Sequence, residues 1–141
     1  MLHFEVSVLP LIVIAVVNFV FSWIWYSPLS PWFKAWQKGV GMPEGQMQMT
    51  EEQKKMMPVL FGGAIFSSFA ISYFLQVVVH SVGAVDFLQG LIVGLVIWLG
   101  FTLTHSLNTL FEGRKIGVLV INNGLYIITY AVFGGIVAIW R

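Results

Sequence analysis

Long apolar runs alternate along the chain with short polar stretches. The runs at 6–26, 58–79, 87–109 and 116–140 contain no Asp, Glu, Lys or Arg. About 20 helical residues cross the roughly 30 Å of bilayer hydrocarbon, so each run is long enough to span it. Inside hydrocarbon the backbone must close its hydrogen bonds within the segment. The Val- and Ile-rich runs, which would favour strand in water, are therefore predicted as helices. The pattern predicts an all-α fold, a single transmembrane domain over 1–141. It is an integral membrane four-helix bundle with a short amphipathic surface helix in the first loop.

The interruptions carry their own signals. The first loop, 27–57, opens with Pro28-Leu29-Ser30-Pro31-Trp32-Phe33-Lys34-Ala35-Trp36-Gln37-Lys38. Trp32, Phe33 and Trp36 fall on one helical face, which predicts a surface helix with Ser30 as its cap and Pro31 in its first position. Gly39, Gly41, Pro43 and Gly45 end it. Thr50-Glu51-Glu52-Gln53 reads as a capping box before the second span. Gly83 is the expected pivot of the short turn at 80–86, and Gly113 the expected C-cap of the third helix.

Polar residues inside the spans recur three or four positions apart, the spacing of one helical face. The first span has Asn18 and Ser22. The second has Ser68, Ser72, Gln76 and His80. The third has Thr104, His105 and Asn108, continued by Glu112, and the fourth has Asn122, Asn123, Tyr126 and Tyr130. The expected arrangement is one stripe per helix, converging in the interior as a polar seam. Such a seam has two readings. Hydrogen bonds between membrane helices hold bundles together; alternatively, the seam binds or passes a small solute. His105 is titratable near neutral pH, which keeps the second reading open. Gly90 and Gly94 form a small-residue face that predicts contact with a second copy.

Composition narrows the chemistry. Only 9% of the 141 residues are charged and 58% are hydrophobic, against about 25% charged in a soluble domain. The bilayer is thus the main partner, and a formal net charge of +1 gives no reason to expect nucleic acid. The lack of cysteine excludes disulfides, thiol catalysis and thiolate metal sites. His3 and His80 are expected at one membrane face and His105 at the other, so no metal site or cofactor is expected, and no catalytic set stands out. Met1 to Ser7 holds no Lys or Arg and no small-residue cleavage site comes after it, so the first run is expected to remain as a helix. Lys34, Lys38, Lys54, Lys55, Arg114 and Lys115 lie in the first and third loops, and Arg141 on the other side. That bias predicts cytoplasmic basic loops and both termini outside. Trp25, Tyr26, Trp32 and Trp36 are the expected membrane-interface residues.

Two segments carry a family resemblance. One is Trp25-Tyr26-Ser27-Pro28-Leu29 followed by Trp36. The other is Trp98-Leu99-Gly100-Phe101, leading through Asn108 to Phe111-Glu112-Gly113-Arg114 and Ile121-Asn122. Together, in this order and over essentially the whole chain, they resemble the small bacterial membrane proteins grouped as domain-of-unknown-function family 1761. Pro31-Trp32 stands where that pattern has Phe-Gly. The resemblance implies a four-helix protein of the bacterial inner membrane and supplies no activity. Three functions remain open: a small polytopic, non-enzymatic membrane protein that binds or passes a solute through the seam as a homo-oligomer; a structural or accessory subunit; and a lipid- or quinone-modifying enzyme using His105 and Glu112.

Overall fold

The computed structural model describes residues 1–42 and 50–140, without the side chain of Gln53. Pro43 and Gly45 of the expected helix stop, the Gln53 arm of the capping box, and Arg141 lie outside the described residues. The helices are α1 (Val8–Trp25), α2 (Phe33–Gly39), α3 (Glu51–Ser81), α4 (Phe87–Ile97), α5 (Thr104–Ser106), α6 (Asn108–Phe111) and α7 (Ile116–Ile139). A π-helical segment, Trp98–Leu103, joins α4 to α5. Among the described residues, four helical stretches are long and apolar enough to cross a membrane: Val8–Trp25, Lys54–Ser81, Phe87–Phe111 and Ile116–Ile139. The chain is an all-α, multi-pass membrane protein.

Helix ends obey local chemistry. Gly83 and Gly113 both adopt φ of +75°, a conformation that favours glycine. At each, two backbone bonds close the helix end: Gly83 N to His80 O with Ala84 N to Val79 O, and Gly113 N to Leu110 O with Arg114 N to Thr109 O. These are Schellman caps, as the glycines predict. The other end of the 82–86 turn is a reciprocal box. Asp86 Oδ1 accepts from Gln89 N at 2.8 Å and Gln89 Oε1 accepts from Val85 N at 2.9 Å.

The two helix starts flanking the first loop come out differently. α3 begins at Glu51, directly after Thr50, where the capping-box pattern puts the helix start and ahead of the uncharged run at Pro58; Glu51 and Glu52 in the first turn favour the helix dipole. The surface helix begins at Phe33, with Trp32 at its N-cap and no side-chain cap bond. Ser30 is therefore not the cap. It lies in a turn whose backbone bonds run Ser30 N to Ser27 O and Phe33 N to Ser30 O.

α7 is the centre of the bundle and touches α1, α2, α3, α4 and the π segment. Its tightest neighbour is α4. A Cβ at Gly94 would overlap the Tyr130 carbonyl, and one at Gly90 the Gly134 carbonyl. This corrects the expectation for the Gly90 and Gly94 face: close packing against α7 of the same chain buries it, so it is not free for a second copy. The apolar core joins Ile14, Leu75, Val79, Phe133 and Val137.

Candidate functional site

The interior polar groups meet in three layers along the bundle axis. In the middle layer, near the centres of three helices, Asn18 is 4% exposed and stands between Ser68 and Thr129. Its Nδ2 donates to Ser68 Oγ at 3.0 Å, and Thr129 Oγ1 donates to its Oδ1 at 3.1 Å.

The layer toward the basic loops is built on the start of α7. Asn123 Nδ2 donates to Ser106 Oγ at 2.8 Å and to Leu119 O at 2.9 Å, while its Oδ1 accepts from Trp98 Nε1 at 3.1 Å. Tyr26 Oη donates to Asn122 Oδ1 at 2.9 Å, and Trp25 Nε1 donates to Ile121 O at 3.1 Å. Trp32 Nε1 donates to Trp25 O at 3.1 Å and its ring lies 4.1 Å from that of Trp25. Trp36 lies 5.1 Å from the Tyr26 ring. The four aromatic residues assigned to the membrane interface thus tie the first loop to α1 and α7.

The third layer closes the opposite end. Ser72 Oγ donates to Leu11 O at 2.9 Å, Ser7 N donates to Gln76 Oε1 at 3.1 Å, and His80 Nε2 lies 3.2 Å from Val137 O. Gln76 Nε2 is buried without a partner among the described residues. Outside this layer, an open cavity of about 440 Å³ is lined by His3, Glu5, Val6, Ser7 and His80. A larger apolar groove, about 690 Å³, lies between α3 and the third span and is lined by Leu75, Phe101 and Tyr130 among others.

Asn18, Ser72, Gln76, Asn122 and Asn123 thus enter interhelical bonds. Ser22 and Tyr126 are half-buried without a side-chain bond among the described residues. The third helix departs from expectation: Thr104, His105, Asn108 and Glu112 are all exposed. Thr104 Oγ1 returns to Gly100 O at 2.8 Å, and Glu112 Oε2 pairs with Arg114 Nε at 3.2 Å. The π segment is the physical reason. A π turn takes in an extra residue and rotates the remainder of the helix by about 100°. An uninterrupted α-helix would place His105 on the face of Gly94 and Trp98; Ser106 takes that place instead.

Sequence periodicity therefore missed Ser106, Trp98 and Thr129 as seam members. Only Thr129 had a usable signal, two turns from Asn122 on the same face. Among the described residues, no group of three or more His, Cys, Asp or Glu is placed to hold a metal ion. A protein-family model described as protein of unknown function (DUF1761) matches residues 9–138. No curated protein and no solved structure matches.

Proposed function

The chain belongs to the DUF1761 family, whose description states no activity, and from its geometry we propose a non-catalytic membrane subunit that assembles through the outward stripe of its third span. The carrying observation is a contrast. The inward amides of Asn18 and Asn123 are bonded to neighbouring helices. His105 and Asn108, within the third span, are exposed and have no side-chain partner among the described residues. An unpaired polar group facing hydrocarbon is costly, and an ionisable one more so.

The occupant of that stripe is a second copy. Two copies inserted in the same direction present Asn108 and His105 at the same depth. Both side chains can donate and accept, so the surface is self-complementary across a two-fold axis. A solute moving along the seam would have to displace the bonds that join α1, α3 and α7, which ranks that reading lower. The proposed setting is a bacterial inner membrane, with the basic loops in the cytoplasm.

Single cysteines at Thr104, His105 and Asn108 test this, since the chain has none of its own. Oxidation in native membranes should crosslink two copies at 105 and 108, and not at lipid-facing Val96. Equal yields at 96 and 108, or none at all three stripe positions, would overturn the proposal. Capture of a different protein at 108 would replace the second copy as the occupant.

A further inference from the structure

α3 and the third span both pack on α7 and leave a groove between them. α3 supplies Ala70, Phe74 and Leu75 to its wall, the third span supplies Ile97 and Phe101, and α7 supplies Tyr130. Its volume of about 690 Å³ falls within the roughly 300–1,000 Å³ of small-molecule sites. The Tyr130 backbone is held in place, because Gly94 of the third span lies directly against its carbonyl. Phe101 belongs to the π segment, a helix irregularity that recurs at functional sites.

Every side chain lining the groove is apolar except that of Tyr130. Tyr130 is half-buried, and its hydroxyl has no hydrogen-bond partner among the described residues. It follows Thr129 of the middle polar layer and stands nine residues before Ile139, the last residue of α7, about 13 Å along the helix axis. Half of the hydrocarbon thickness is about 15 Å, so the phenol lies deep within it. A hydroxyl left unpaired there is costly. The molecule that fills the groove therefore has to bring a hydrogen-bond acceptor to that depth. Glycerolipid ester oxygens stay at the edge of the hydrocarbon, and a saturated acyl chain has no acceptor. An uncharged ring carbonyl on an apolar tail meets the requirement. Phe74 and Phe101, both exposed and on opposite walls, offer aromatic surfaces to a flat ring.

We propose that this groove binds an isoprenoid quinone. One ring carbonyl accepts from the Tyr130 hydroxyl, the ring lies against Phe74 and Phe101, and the tail follows the apolar walls into the bilayer. The groove lies within one copy, so the site does not depend on assembly through His105 and Asn108.

The test is a titration of the full chain in detergent micelles with a short-chain ubiquinone. Infrared difference spectra against empty micelles report the ring carbonyl stretch, which moves to lower frequency when the carbonyl accepts a hydrogen bond. In wild type a displaced band should grow and saturate at one quinone per chain. Tyr130→Phe removes only the hydroxyl. It should abolish the displaced band and weaken the remaining saturable binding about threefold to tenfold, the scale of one neutral hydrogen bond. Tyr126→Phe, one turn away and not in the groove wall, should leave the band and its saturation unchanged. Ala70→Trp places an indole in the groove and should prevent binding. A wild-type band that never saturates or matches that of empty micelles would leave the groove to acyl chains and overturn the assignment. A displaced band that survives Tyr130→Phe, or is lost equally in Tyr126→Phe, would overturn it as well.

Discussion

The Thr129 hydroxyl donates to Asn18 Oδ1 at 3.1 Å, linking the first and fourth spans near their centres. Asn18 extends the link to the second span through Ser68 at 3.0 Å. At that depth there is no water to substitute for a lost partner, so the contact sets how the three helices align along the membrane normal.

Replacing Asn18 by Leu should leave the Thr129 and Ser68 hydroxyls without their shared partner. The expected loss is about 1–3 kcal/mol of bundle stability, measured by unfolding in detergent. Thr129→Val should lose less, about 1 kcal/mol. In the double variant the Thr129 effect should vanish; simple additivity of the two losses would contradict the bond.

The two asparagines that sequence periodicity treats alike should behave differently. Asn123→Leu removes bonds to Trp98 and Ser106 and should lower stability by about 1–3 kcal/mol. Asn108→Leu should leave the stability of an isolated copy within about 0.5 kcal/mol, because its side chain is exposed. Its effect belongs to association, read as a loss of crosslinked dimer.

Glycine substitutions separate close packing from open surface. Gly94→Leu drives a side chain into the Tyr130 carbonyl and should destabilise by about 1–3 kcal/mol or more. Gly62→Ala meets nothing within 4 Å and should stabilise α3 by about 0.5–1 kcal/mol. Thermal unfolding of the two variants in one detergent gives both signs.

The orientation is open to the same cysteine-free background. A cysteine replacing Met42 should be shielded from an impermeant thiol reagent in intact cells, and one replacing Val82 should react. Both positions are exposed, Met42 at 42% and Val82 at 61%. Labelling in the reverse order would invert the topology argued from the basic loops.

The four spans, their helical character and the family were legible in the sequence. Length without charge, and the absence of water to satisfy an open backbone, leave few alternatives. Gly83 and Gly113 were legible for a similar reason, since φ of +75° restricts the residue that can occupy it. Asn18 and Asn123 were legible as interior residues, because an uncharged amide in a span seeks a partner.

Tertiary structure decided which face of the third helix is inside. Periodicity assumes a constant 3.6 residues per turn, and the segment Trp98–Leu103 departs from it. One extra residue turns His105 and Asn108 outward and Ser106 toward Asn123. It decided likewise that Gly90 and Gly94 pack within the chain, since a small-residue face does not encode which helix will cover it. His3, Glu5 and His80 come together only through folding. They lie up to 77 residues apart in sequence and meet because the segment before α1 is bonded along the end of α3. Local pattern determines which segments become helices, through hydrogen bonding within each one. Which faces and ends meet depends on packing between segments distant in the chain, which no local pattern specifies.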